Sequence, residues 1–177
     1  MKLKEKRLSS SLKFKGRIVN VVHDEVLLPD GQRSLREVIT HPGGVCVAAM
    51  DEDGNFILVE QYRYAFQQIM LEFPAGKLEP NEDPLSAAVR ELEEETGYRA
   101  KDLISLGLMY PSVGYLTEII HLYFAPNPEF TQQKLDPHEF LNVKRFPYSV
   151  LVELSQSGQL NDAKTLALLQ RLRTHLD

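Results

Sequence analysis

Gly76-Lys77-Leu78-Glu79-Pro80-Asn81-Glu82, followed seven residues later by Arg90-Glu91-Leu92-Glu93-Glu94-Glu95-Thr96-Gly97-Tyr98, is the stretch that decides how this chain is read. Between the two halves, Asp83 suits a helix cap, Pro84 suits a first turn, and Gly97 suits a left-handed stop, so a helix is expected over Asp83 to Thr96. Leu85, Ala88, Val89 and Leu92 recur at helical spacing and form its expected buried face. Four of the five residues from Glu91 to Glu95 are carboxylates, and on a helix Glu91 shares a side with Glu94 and Glu95. Like charges held that close repel unless cations lie between them, which is the arrangement that hard divalent ions require. Arg90 points elsewhere on the helix and is expected to pair with Glu82 or another carboxylate, fixing the preceding loop.

Upstream, β-branched runs at Arg17 to Val22, Glu25 to Leu28 and Arg36 to Ile39, with a turn at Pro29-Asp30-Gly31, predict a small antiparallel sheet. His41-Pro42-Gly43-Gly44 then breaks the pattern, suggesting an N-terminal arm over 1–43 and a main domain over 44–177. Val45 to Met50 and Phe56 to Tyr62 flank the turn Asp51 to Asn55 and read as a hairpin. Downstream, a strand is expected over Glu118 to Ala125 and a long connection over Pro126 to Glu139. A short helix follows near Tyr148 to Ser157. A final helix over Asn161 to Leu176 has Leu166, Leu169, Leu172 and Leu176 on one side. Strands, helix, strands, helices in that order predict an α/β fold with mixed strands between helical layers.

The 177 residues are 43% hydrophobic, enough to bury a core, and the net charge of −5 offers no positive blanket for nucleic acid or anionic membrane as main partner. An anionic substrate would then need local help from metal ions. Cys46 is the only cysteine and lies in the apolar run Val45 to Ala49, so a buried, inert thiol and a reducing, cytoplasmic compartment are expected. The basic start leads into Ser9-Ser10-Ser11 and not into an apolar segment, so neither a signal peptide nor a membrane span is expected.

Taken alone, a run such as Glu-Leu-Glu-Glu-Glu is usually the wet face of an amphipathic helix. The fixed spacing reverses that reading, because the stretch resembles the Nudix box, G-x5-E-x7-R-E-U-x-E-E-x-G-U with U apolar. It agrees at Gly76, Glu82, Arg90, Glu91, Leu92, Glu94, Glu95 and Gly97, and departs at Tyr98. Gln61-Tyr62-Arg63, Leu71 to Lys77, the N-terminal strands and Gly158 to Thr165 are similar to the ADP-ribose pyrophosphatase branch of that family. The resemblance implies an α/β/α Nudix sandwich with a mixed sheet, and an N-terminal antiparallel β arm exchanged across a homodimer.

It also implies roles. Glu91, Glu94 and Glu95, with the backbone carbonyl of Ala75, would hold magnesium, for which manganese would substitute. Arg90 would belong to the catalytic group, as would Glu94. Arg63 would contact the phosphates or the terminal sugar, Arg36 and Glu37 would reach the nucleoside across the dimer, and Glu72 would contact substrate. For Arg63 and Glu72 the alternative is a local ion pair. Glu139 stands where this branch often carries a metal-ligating or water-orienting carboxylate; Asp136 and His138 are the other candidates for the base. In Tyr110-Pro111-Ser112-Val113-Gly114-Tyr115 the proline stands at Pro111 and not at Val113, where the branch usually has it, which keeps other nucleotide sugars, GDP-mannose among them, open.

The function implied is magnesium-dependent hydrolysis of the diphosphate of nucleoside diphosphate sugars, ADP-ribose first, to AMP and ribose 5-phosphate. A pyrophosphatase of nucleoside triphosphates or capped RNA is one alternative. A nucleotide-sugar-binding regulatory module without catalysis is another.

Overall fold

The computed structural model describes residues 3–176. In chain order the strands and helices are β1 (Lys6–Lys15), β2 (Asn20–Leu27), β3 (Arg33–Thr40), β4 (Gly44–Met50), β5 (Asn55–Arg63), β6 (Gln68–Glu72), β7 (Ala75–Lys77), α1 (Pro84–Thr96), β8 (Tyr98–Arg99), β9 (Ile104–Met109), β10 (Ile120–Pro126), β11 (Glu129–Phe130), β12 (Leu141–Pro147), α2 (Tyr148–Gln156) and α3 (Ala163–Leu172). The chain divides into two compact units. One takes the described residues up to Gly43 together with Tyr110–Ile119; the other takes Gly44–Met109 and the chain from Ile120 onward.

In the first unit β1, β2 and β3 form a three-stranded antiparallel sheet. The expected break between Arg17 to Val22 and Glu25 to Leu28 is absent. Gly16 N–H bonds the Val19 carbonyl in a turn, and β2 then runs unbroken through His23 and Asp24. β1, which periodicity missed, is exposed along its whole length and so carries no inside-outside alternation to read. Tyr110–Ile119 joins this unit through backbone bonds, Ile39 N–H to the Tyr115 carbonyl and Thr117 N–H to the Ile39 carbonyl.

The second unit is an α/β/α sandwich. Its mixed sheet runs β12-β5-β4-β10-β9, with β6 paired to β5 and β7 to β4; β4 and β10 are parallel. Successive side chains of a strand face opposite ways, so a strand covered on both faces must be apolar throughout. β4 obeys this. Val45, Val47 and Ala49 join Ala87, Ala88 and Leu92 of α1, while Cys46 and Ala48 join Leu151 of α2 and Leu168 of α3. β10 divides in the same way, Tyr123 and Ala125 toward the first cluster and Leu122 and Phe124 toward the second. The hairpin of β4 and β5 is short, pairing only at Ala49 with Ile57 and Met50 with Phe56, because β7 takes the rest of that edge.

α1 begins and ends as its caps dictate. Asp83 accepts the Ser86 N–H, and Gly97, at φ 77°, returns its N–H to the Glu93 carbonyl. Its buried face differs from the expected one: Ala87, Ala88, Leu92, Glu95 and Thr96 are buried, Val89 only partly, and Leu85 is 47% exposed. Small alanines let the helix sit close to β4, and that turns Leu85 outward. α3 is shorter than the expected Asn161 to Leu176. The Asp162 carboxylate accepts the Thr165 N–H and fixes its start, and a single 3-10 turn, Arg173–His175, follows its end. No helix among the described residues is long and apolar enough to cross a membrane.

Candidate active site

The loop from Gly76 to Glu82 is held to α1 by one side chain. Arg90 donates Nε and Nη2 to the two oxygens of Glu82 at 2.8 and 2.9 Å, and its Nη2 also reaches the Lys77 carbonyl at 3.3 Å. Glu82 in turn accepts the Glu79 N–H. This is the loop-to-helix tie expected from the sequence. A fork-shaped cation bonding both oxygens of one carboxylate is a strong and directional pairing. The guanidinium is pushed further above its ordinary pKa, chiefly by Glu82, and Glu82 is held below the usual carboxylate range, chiefly by Arg90.

The same guanidinium separates two of the helix carboxylates. Arg90 Nη1 donates to Glu91 at 2.8 Å and to Glu94 at 2.9 Å, so the positive charge between them here belongs to arginine. Accordingly, no group of three acids, histidines or cysteines among the described residues is drawn together tightly enough to hold a metal ion. Glu91 lies against the loop in a space that only glycine leaves open, since a Cβ on Gly76 would stand 1.8 Å from the Glu91 carboxyl carbon. Burial raises the pKa of Glu91, with Arg90 opposing.

Glu95 is the most enclosed of the three, with 2% of its surface exposed. The one hydrogen bond to its carboxylate among the described residues comes from the Ala75 N–H at 2.9 Å. Burial pushes its carboxyl up to about 8, with that N–H opposing and the negative charges of Glu91 and Glu139 adding to the rise. Glu139 therefore lies close enough to act on both Glu91 and Glu95. It sits in a turn just before β12, half-buried, its N–H bonding the Asp136 carbonyl; Asp136 and His138 are exposed.

The loop that delivers Glu139 is stitched to the end of α1. Thr131 N–H bonds the Gly97 carbonyl, Gln133 Nε2 bonds the Glu95 carbonyl at 2.6 Å, and Lys134 N–H bonds the Glu94 carbonyl at 3.0 Å. These donors satisfy carbonyls that a helix end otherwise leaves to water. Tyr98, the box position that departs from the pattern, is buried edge-on against Phe130 with the Arg145 guanidinium over its ring. An open groove of about 420 Å³ along the outer side of α1 takes in Arg90, Glu93, Glu94, Arg99 and Lys134, but neither Glu91 nor Glu95.

Of the other expected site residues, Arg63 and Glu72 meet as an ion pair, Nε and Nη2 each 2.6 Å from a carboxylate oxygen. Arg36 is held by Glu5 through two bonds of 3.0 and 2.6 Å, and Glu37 lies 3.3 Å from His23, both within the first unit. Sequence reasoning missed Lys164, which bonds Glu72 across 92 positions and Asp162 at 2.8 Å. The only sequence signal was Asp162-Ala163-Lys164-Thr165, a helix cap followed by a lysine where an apolar face would otherwise be expected.

Comparison with known proteins agrees with this geometry. The Nudix domain family matches residues 40–169, and the nucleoside diphosphate sugar hydrolase N-terminal domain family matches residues 5–39. The chain is 38% identical over 173 residues to an ADP-ribose pyrophosphatase of Bacillus subtilis (strain 168), covering 97% of this chain and 94% of the relative. It is 38% identical over 171 residues to a methanol dehydrogenase activator of Bacillus methanolicus, covering 96% and 92%. A solved structure, described as an ADP compounds hydrolase, superposes with a TM-score of 0.88 at 23% identity over 99% of this chain and 96% of its own, a likeness of fold. The acidic helix, the glycine loop it closes on and these matches together make the chain a member of the Nudix hydrolase family.

Proposed function

We propose that this protein hydrolyses the diphosphate linkage of nucleoside diphosphate sugars in a reaction that needs a divalent cation, magnesium with manganese as substitute, and that ADP-ribose, cut to AMP and ribose 5-phosphate, is its leading substrate. The observation that carries this reading is that Glu91 and Glu95 of α1 both close on the glycine loop, Glu91 against Gly76 and Glu95 on the Ala75 N–H. Burial raises the pKa of both, and the negative charge of Glu139 adds to each rise, so these carboxylates are unstable together in a partly dry place without cations. The similarity to the Bacillus subtilis ADP-ribose pyrophosphatase supports the choice of substrate.

The donor set fits a hard dication: carboxylate oxygens of Glu91, Glu94, Glu95 and Glu139, with the Ala75 carbonyl, and no sulfur or imidazole. Magnesium held there would offset the charge of the diphosphate and lower the pKa of a water. The rest is the work of side chains. Arg90 keeps Glu91 and Glu94 apart and ties the loop to the helix, so the carboxylates start near their working positions. Glu139 is the base that orients water, in preference to the exposed Asp136 and His138. Arg63 has Nε and Nη2 engaged by Glu72, while its Nη1 makes no hydrogen bond among the described residues and remains for a phosphate oxygen. Arg36 and Glu37 of the N-terminal sheet serve the nucleoside once a second copy of the chain is present; the wholly exposed β1 supports such an association.

A second reading, favoured by the methanol dehydrogenase activator, is that the hydrolysis serves a partner enzyme. A panel of nucleotide sugars incubated with the purified protein and magnesium, with phosphate-specific product analysis, tests the main reading. AMP and ribose 5-phosphate from ADP-ribose are expected. Failure to release a nucleoside monophosphate from any of the nucleotide sugars would overturn it.

A further inference from the structure

Glu72 is an unusual place for a charge. It lies at the end of β6 with 2% of its side chain exposed, and an isolated carboxylate there would be strongly disfavoured. Two cations hold it ionised. Arg63, from β5, takes both oxygens side-on, and Lys164, from the first turn of α3, bonds Oε2. Burial opposes the charge of Glu72, and Arg63 and Lys164 together carry its pKa below the ordinary carboxylate range.

Lys164 is itself fixed. Only 13% of its side chain is exposed, and its ammonium bonds Asp162 Oδ1 at 2.8 Å. The other oxygen of Asp162 accepts both the N–H and the hydroxyl of Thr165, at 2.9 and 2.6 Å. Thr165 Oγ1 then accepts the Phe73 N–H at 2.9 Å, tying the residue after β6 back to α3. The result is a linked set of partly and fully buried bonds that holds both Asp162 and Glu72 in place. Arg63, 36% exposed, is the member that reaches the surface.

We propose that Lys164 is a positioning residue for substrate binding: by holding Glu72 Oε2 it fixes the plane of the carboxylate, and through it the plane and net positive charge of the Arg63 guanidinium that receives the diphosphate. This rests on the reading of Arg63 as a phosphate contact. Without the ammonium, Glu72 can rotate about its terminal bond, and its whole charge falls on Arg63. The guanidinium then loses both its orientation and part of its attraction for phosphate. The loss falls on binding and not on the reacting atoms, so KM rises while kcat holds.

The test measures KM and kcat for ADP-ribose with saturating magnesium in the wild type, Lys164→Met, Lys164→Arg, Arg63→Ala and the double variant Lys164→Met/Arg63→Ala. Lys164→Met is expected to raise KM by about tenfold with kcat within about twofold, and Lys164→Arg, which keeps a cation on Glu72, to recover most of the loss. In the Arg63→Ala background, Lys164→Met should change KM by less than about twofold, because the group it positions is gone. Should Lys164→Met fail to fold, Lys164→Gln, which keeps a donor toward Glu72 without its charge, carries the same comparison. A fall in kcat at constant KM, or a rise in KM of equal size with and without Arg63, overturns the positioning role while leaving the phosphate role of Arg63 intact. An unchanged KM in Arg63→Ala alone overturns the reading of Arg63 and the proposal with it.

Discussion

Glu95→Gln is expected to stabilise the metal-free protein at neutral and alkaline pH while removing most of its activity. Burial pushes the Glu95 carboxyl from 4.5 to about 8 in the folded chain. Between those values the unfolded chain has released the proton and the folded chain retains it. The folded state is therefore favoured at low pH, and this contribution is lost progressively as the pH rises toward about 8. The slope is about 1.4 kcal/mol per pH unit, which amounts to about 3 kcal/mol by pH 7 and levels off above the folded pKa at about 5 kcal/mol. Glutamine has no proton to lose and still offers an oxygen to the Ala75 N–H. The difference in stability between the two proteins therefore reports this carboxyl together with its coupling to Glu91, which is present in both. Urea unfolding with a chelator, at half-unit steps from pH 5 to pH 9, measures it. The glutamine variant should be within about 1 kcal/mol of wild type at pH 5 and pull ahead steadily to pH 8. Adding magnesium should restore the wild type at high pH, because a ligand that binds only the folded state stabilises it, and should do far less for the variant. Parallel stability profiles for the two proteins would refute the argument that Glu95 is a buried carboxylate awaiting a cation.

Other substitutions probe neighbouring parts of the site. Gly76→Ala places a Cβ where the Glu91 carboxyl lies; because that carboxyl is the far end of a flexible side chain, circular dichroism should show the fold retained, while hydrolysis of ADP-ribose falls by at least about tenfold. Leu92→Ala, at a fully buried position between α1 and the sheet, should cost about 2–5 kcal/mol in chemical denaturation. Glu139→Gln should lower kcat by about a hundredfold or more, with Asp136→Asn and His138→Ala near wild type. A reversed order in that last set would move the base to one of the exposed neighbours.

What was legible in the sequence was what is local. Asp83, Pro84 and Gly97 bound α1 because caps depend only on adjacent backbone, and the pairing of Arg90 with Glu82 follows from a loop that must return to its own helix. The apolar run of β4 was legible as a strand with a buried thiol at Cys46. Leu85 and Val89 were misplaced because a helical period fixes the spacing of a buried face but not which stripe meets a sheet; Ala87, Ala88 and a buried Glu95 won that contest. β1 was missed because a strand exposed on every residue lacks the alternation that marks one. The contact of Lys164 with Glu72 spans 92 positions and depends on how α3 docks, which no local pattern encodes. Likewise, the spacing of Glu91, Glu94 and Glu95 pointed to convergence, but not to the Arg90 guanidinium that stands between two of them.

Release of AMP from ADP-ribose, followed as magnesium is titrated into chelator-stripped wild type and Glu91→Gln, bears most directly on the claim that the α1 carboxylates hold a divalent cation against a diphosphate. The wild type should be silent without metal, become active as magnesium is added and fall silent again with excess chelator, while the variant should need far more magnesium for any turnover. Equal rates with and without chelator, or a Glu91→Gln titration superimposable on the wild type, would contradict it.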